Sequence, residues 1–285
     1  MGNYKNIKMN LNIEFLRQVF KNAKLSDKYI FILLNKIDTY QTAFTSPSID
    51  IDNNYELYEN LGDITANEAI VWYFYEAFPQ LHCPSGVKTM ARLKINYGSS
   101  ESYSSIADDL GFWPYIKATD EEKNSKEKKQ KLLEDVFEAF IGVTKVVLIE
   151  YFGYQGVGNQ IVYNIIKSIF DKKTISLKTE DLYDAKTRLK EVFDKASTQK
   201  EFGKLRYKYF DFSENENDRY TELFFVKNNV FTYIAKGEGN TKVAQEKDAA
   251  SKALKYLHAN GYDVEKKFKL FCENRNDSFE KFNSI

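Results

Sequence analysis

The sequence predicts an α+β protein, with an all-helical first part over residues 1–171 and a small α-β-β-β-α unit over 184–260. Three observations predict it. Apolar residues recur at helical spacing through most of the first part. Two of those helical stretches carry paired acids on faces that should lie inside, at 55–63 and 132–142. After residue 184 the character changes: aromatic-rich, strand-like segments at 205–212, 219–226 and 230–236 stand between a helical pattern at 184–196 and an alanine-rich one at 241–257.

The first part reads in order as follows. Leu11, Ile13, Phe15, Leu16, Val19 and Phe20 define a core-facing helix over 11–24, and residues 29–37 repeat the pattern after a Ser26-Asp27 cap. Ser, Pro, Asp and Asn cluster over 45–54, a loop that delivers the chain into a long helix ending near Phe78. An irregular stretch to Gly86 precedes a helix over 87–96, a Gly98-Ser99-Ser100 break and a helix to Leu110. Residues 120–131 are a charged run, read as a solvated connector, with phosphate contact as the alternative because the second acidic stretch follows at once. The second acidic helix runs to Phe152, a turn spans 153–158, and an amphipathic helix ends near Asp171. Residues 172–183 keep no period and read as a linker; 261–285 form a C-terminal tail.

Composition limits the partners. The 285 residues hold 43% hydrophobic side chains, ample for a core, and 41 basic residues balance 41 acidic ones. Net charge therefore offers no argument for a polyanionic partner, and any nucleic-acid surface must be local. Cys83 and Cys272 stand in no zinc or disulfide spacing, which fits a reducing, cytoplasmic setting. No apolar run approaches the about 18 residues of a membrane span, so neither an anchor nor a signal peptide is expected. His82 and His258 are isolated and build no nucleophile arrangement.

The acids carry the chemistry. Glu59 and Asp63 are one helical turn apart, and Asp135 and Glu138 are three apart in a helix apolar on most of its circumference. Either pair alone is more often a solvated helix face. Together they change the reading, because buried carboxylates are costly and repel one another unless something positive meets them. Gly62 and Gly142 leave both helices able to pack closely. A four-carboxylate site for a divalent cation accounts for all of these features.

Glu56-Leu57-Tyr58-Glu59-Asn60-Leu61-Gly62-Asp63 resembles the signature of the ribonuclease III family, and Asp135-Val136-Phe137-Glu138-Ala139 resembles its second acidic motif. Ala43-Phe44-Thr45-Ser46-Pro47-Ser48 is similar to the family's Ala-Leu-Thr-His-Pro-Ser turn, and Phe78-Pro79 closes the signature helix at the family's distance. The second unit resembles a double-stranded RNA-binding domain. The resemblance implies an endonuclease in which Glu59, Asp63, Asp135 and Glu138 hold Mg²⁺, with Mn²⁺ able to substitute. Its implied substrate is double-stranded RNA, cut to 5′-phosphate and 3′-hydroxyl ends by a homodimer. RNA contacts are implied at Lys186, Lys242 and Lys247.

This sequence also departs from the family pattern. Asn60 replaces the phenylalanine that packs into the partner subunit, so a weak dimer is expected. Cys83 replaces an additional acid. Of the lysines that open the family's last helix only Lys242 is kept, with Val243 and Glu246 at the other positions, and the preceding loop, 213–217, is acidic. Two readings follow for the second unit: RNA binding, or a retained fold with weakened contact. For the whole chain the rival to the enzyme is an RNA-binding scaffold on the same fold.

Overall fold

A computed structural model describes residues 11–211 and 219–262. The chain divides into two compact units between Ile175 and Ser176. The first is all-helical: α1 (Ile13–Asn22), α2 (Asp27–Leu34), α3 (Ile37–Ala43), α4 (Glu56–Ala77), α5 (Val87–Tyr97), α6 (Ser100–Asp109), α7 (Asp120–Asn124), α8 (Lys126–Phe152) and α9 (Gln155–Phe170). The second carries α10 (Thr179–Leu182), α11 (Ala185–Phe193), α12 (Ala196–Phe202), β1 (Lys204–Asp211), β2 (Arg219–Lys227), β3 (Val230–Gly237) and α13 (Lys242–Ala259). The predicted α+β class and the order of its two parts hold. Among the described residues no helix is long and apolar enough to cross a membrane.

α8 is the axis of the first unit. It starts at Ser125, whose hydroxyl accepts from the Lys128 amide, and stops at Gly153, which takes the left-handed conformation at φ +80°. From Leu132 to Leu148 nearly every residue is buried, because α2, α3, α4, α6, α7 and α9 all pack around it. Phe140 stacks on Phe20 at 5.6 Å between ring centroids, and the Tyr40 and Thr144 hydroxyls share a hydrogen bond of 2.9 Å within this core. Each such fully buried ring stabilises the fold by about 1.5–3 kcal/mol relative to exposure.

Several sequence expectations shift. The charged run is largely solvated, as expected, but it is helical and not a connector: α7 and the first turns of α8 take it up. Thr119 and Glu122 form a reciprocal capping box at its start. The Glu122 carboxylate also accepts hydrogen bonds from Ser46 (3.0 Å) and Ser48 (2.5 Å), which pins the 43–48 turn. The turn expected over 153–158 is shorter, since α9 already begins at Gln155. In the segment read as a linker, α10 forms and Leu182 and Tyr183 are buried. The helix expected over 184–196 ends at Phe193, and α12 follows it.

The second unit is a three-stranded antiparallel sheet, ordered β1-β2-β3, with α11 and α13 on one face. Alternation along β2 sends Leu223 and Phe225 into a core with Leu189, Phe193, Ala249, Ala253 and Leu257. Asn228 and Asn229, at φ 51° and 63°, make the two-residue turn that joins β2 to β3. Gly237 lets α13 close on the strand, for a Cβ there would stand 1.9 Å from the Gln245 carbonyl oxygen.

Candidate metal centre

The site is built where α4 crosses α8. Both helices are bare at the crossing: a Cβ on Gly62 would lie 1.7 Å from the Glu138 carbonyl oxygen, and one on Gly142 would lie 2.1 Å from that of Tyr58. The backbones approach at contact distance, so side chains flanking the two glycines converge. Carboxylate oxygens of Glu59, Asp135 and Glu138 all lie within 4.8 Å of one another. Asp135 and Glu138 are buried, at 3% and 6% exposure, while Glu59 opens to solvent.

Asp63 stands beside this group, not in it. Its carboxylate accepts a hydrogen bond from Asn67 Nδ2 at 2.5 Å, one turn on along α4. Its charge nevertheless reaches Glu138, whose pKa is raised to about 8 by burial first and then by Asp63, Glu134, Glu59 and Asp135. Burial likewise raises Glu59 and Asp135, with Asp135 adding to the rise at Glu59. Like charges in a dry place resist joint ionisation.

Four residues outside the expected set complete the surroundings. The Lys131 ammonium sits 2.5 Å from Asp135, 3.7 Å from Glu59 and 3.8 Å from Glu134. Although burial opposes its charge, the hydrogen bond and charge of Asp135 hold its pKa above the ordinary lysine range. Glu134 accepts from the Ser100 hydroxyl at 2.6 Å, which turns it toward the same wall. The Tyr55 hydroxyl lies close enough to Asp135 to favour its charged form. Tyr103 is fully buried within electrostatic reach of Glu138, Asp63 and Glu134, and its hydroxyl has no hydrogen-bond partner among the described residues. The i, i+4 spacing of Lys131 and Asp135 and the Glu134-Asp135 doublet were signals present in the sequence; nothing local marked Tyr55 or Tyr103.

The donor set suits a hard divalent cation: carboxylate oxygens only, with an open side at Glu59 for water and phosphate oxygens. The raised carboxyl pKa values, the one lysine drawn into the cluster and the orphaned Tyr103 hydroxyl are what an acidic pocket shaped for extra positive charge presents.

The expected RNA contacts lie elsewhere, on the helical layer of the second unit. Lys186 is ion-paired with Glu246 at 2.5 Å. Lys242 opens α13 with its ammonium 5.6 Å from the Tyr209 ring centre, and Lys247 is exposed one turn on. The acidic 213–217 loop and most of the tail, Cys272 included, lie outside the described residues.

Known proteins compare as follows. The Ribonuclease III domain model matches residues 56–145, a span that holds all four predicted acids. A protein of Invertebrate iridescent virus 6, named by inference as a ribonuclease 3, is 37% identical over 249 residues and is covered, like this chain, to 82%. A similarly named protein of Frog virus 3 (isolate Goorha) is 38% identical over 240 residues, which are 84% of this chain and 61% of the viral protein. The chain thus spans about three fifths of that second relative. Ribonuclease 3 of Ligilactobacillus salivarius (strain UCC118) is 33% identical over 206 residues, 71% of this chain and 80% of the bacterial one.

Proposed function

This chain belongs to the ribonuclease III family of endoribonucleases, and from that premise we propose that it hydrolyses double-stranded RNA, leaving 5′-phosphate and 3′-hydroxyl ends. Glu59, Asp135 and Glu138 are the groups that would hold Mg²⁺ or Mn²⁺, and Asp63 would join them once its carboxylate gives up Asn67. When bound, such a cation makes a water nucleophilic at neutral pH and stabilises charge on the phosphate and the leaving oxygen.

The chain's own residues set the geometry. Gly62 and Gly142 fix the spacing of the helices, so Glu59, Asp135 and Glu138 stand together without rearrangement, and only Asp63 has to turn. The Tyr55 hydroxyl favours the charged form of Asp135, and Ser100 orients Glu134 by hydrogen bonding. In the metal-free protein Lys131 offsets part of the cluster's negative charge. Attack of water on the phosphorus breaks the bond to the 3′ oxygen, which leaves protonated, and the phosphate stays on the 5′ side.

A homodimer belongs to the same proposal. One nuclease unit cuts one strand, so a double cut takes two copies across the duplex. On α4 the exposed residues Leu57, Leu61, Ile64, Val71, Trp72 and Tyr75 form a stripe along one face, turned away from the acids. An exposed apolar stripe on a nuclease helix, interrupted only by Glu68, supports pairing through it. Asn60 lies at its edge and is exposed.

The observation that carries the enzymatic reading is the convergence of three carboxylates at a glycine-to-glycine helix crossing. The test is incubation of the purified chain with a long RNA duplex. Cutting that requires Mg²⁺ or Mn²⁺, stops in EDTA and leaves phosphatase-sensitive 5′ ends is expected. Cleavage indifferent to EDTA, or none with either cation, overturns the reading in favour of an RNA-binding scaffold.

A further inference from the structure

Helices cover one face of the sheet in the second unit. Leu205, Tyr207, Leu223 and Phe225 turn toward them, as does the buried Ala235 paired with Leu223, so strand alternation sends the intervening residues to the opposite face. The ladder register lays these out in three rows across the strands. They are Lys204, Val226 and Phe231; then Arg206, Phe224 and Tyr233; then Lys208, Glu222 and Lys236. The irregularity between Leu223 and Phe224 keeps β3 in phase across them.

Two features set this face apart. Phe231 and Tyr233 stand 62% and 53% exposed, each edge-on to Phe224 with centroids 6.0 and 5.9 Å away. Large rings left mostly in water forgo burial that would otherwise stabilise the fold. The same rows carry Lys204, Arg206, Lys208 and Lys236 against the single acid Glu222. Lys204 and Arg206 have no ion-pair partner among the described residues, Lys236 pairs with Glu238 at 3.5 Å at the end of β3, and Lys236 and Lys208 lie over rings at 4.3 and 4.8 Å from their centres. In a chain of zero net charge, this is a local basic and aromatic surface.

We propose that this open sheet face binds single-stranded RNA. Bases stack on Phe231 and Tyr233, and the phosphates meet Lys204, Arg206, Lys208 and Lys236. The chemistry selects this occupant. Stacking needs a base with a free face, which a duplex hides, and alternating rings with cations suits a strand that presents bases and phosphates together. An apolar protein surface would instead strip water from four cations without replacing it. The face lies opposite the helical layer that carries Lys186 and Lys242, so it does not compete with duplex contact there. The proposal does not depend on the nuclease reading.

The test uses the full chain in EDTA, with a fluorescent short oligouridine read by anisotropy and an RNA duplex read in parallel. Replacing both exposed rings, Phe231→Ala with Tyr233→Ala, should weaken oligouridine binding by about tenfold or more, as expected for lost stacking. Duplex affinity should not change. Tyr233→Phe keeps the ring and should bind as the parent does, and Lys242→Ala should leave oligouridine binding intact. If the double variant proves unfolded by circular dichroism, Lys204→Glu with Arg206→Glu must produce the same selective loss. The proposal fails if the parent chain does not bind oligouridine or if removing the rings leaves that affinity unaltered. It also fails if sedimentation shows that the rings hold two copies together.

Discussion

Gly62 on α4 lies against the backbone of Glu138 on α8, so that a Cβ at Gly62 would stand 1.7 Å from the Glu138 carbonyl oxygen. No side-chain rotation relieves a clash with backbone. Gly62→Ala must push the helices apart, at a cost of about 1–3 kcal/mol or more. The thermal midpoint should fall by roughly 2–4 °C per kcal/mol, and the Mg²⁺-induced rise in that midpoint should shrink as the acids separate. Calorimetry with and without Mg²⁺ checks both; an unchanged midpoint would mean that the crossing is looser than its geometry.

Glu138 makes metal-free stability fall as pH rises. Its pKa is raised from 4.5 to about 8 by burial and by the neighbouring acids. A raised folded-state pKa means that the native state holds its proton more tightly than the unfolded chain. Its contribution is full below the unfolded value near 4.5 and is lost as pH climbs through about 8. In EDTA the midpoint should therefore drop across that window, and added Mg²⁺ should help little at the acid end and much at the alkaline end. Glu138→Gln should flatten the profile in EDTA while abolishing cleavage. A pH-independent midpoint in the parent protein would contradict the electrostatic account.

Lys131 and the cation should compete for the same charge. With its ammonium 2.5 Å from Asp135 and 3.7 Å from Glu59, Lys131→Met leaves those acids uncompensated. Lysine is itself well exposed here, so solvent screens part of the effect. The variant should melt a few degrees lower in EDTA yet gain more than the parent from Mg²⁺. Equal Mg²⁺ responses in the two proteins would show that Lys131 does not share the cation's place.

Asn60 sits at the edge of the exposed α4 stripe. An amide buried against apolar side chains without a partner opposes association by about 1–3 kcal/mol. Asn60→Phe should tighten the dimer, and Ile64→Glu, in the middle of the stripe, should abolish it. Sedimentation across a concentration series decides the matter. Monomers throughout for both the parent and Asn60→Phe, with single-strand nicks as the products, would dismiss a dimer through α4.

In the second unit Glu246 engages Lys186 at 2.5 Å, so one of the expected RNA-contacting lysines is already neutralised. Duplex affinity should then fall only gently with salt. Val243→Lys with Glu246→Lys frees Lys186 and adds two charges at the start of α13, which should strengthen binding and steepen the slope of log affinity against log salt by somewhat under one unit per new phosphate contact. The titration belongs in Ca²⁺ to suppress cutting. A slope no steeper than the parent's would remove this face from the duplex interface.

What the sequence determined by itself was whatever depends on neighbours along the chain. Helical spacing marked α4 and α8, alanine-rich composition marked α13, and aromatic-rich, strand-like composition marked β2. Asp135 and Glu138 were readable as inward-facing because their own helix is apolar nearly all round. Gly62 and Gly142 announced a close approach, though not which backbone each would meet. Tertiary structure decided the rest, because it depends on residues distant in sequence. Asp63, one turn from Glu59, was expected to converge with the other acids, yet Asn67 holds its carboxylate beside the cluster. Lys131 and Glu122 looked like solvent charges in a run of charges until the packing of α7 and α8 delivered one to the acids and the other to Ser46 and Ser48. A charge in a sequence has no fixed partner; a desolvated charge must have one, and only the folded arrangement of helices determines which group that is.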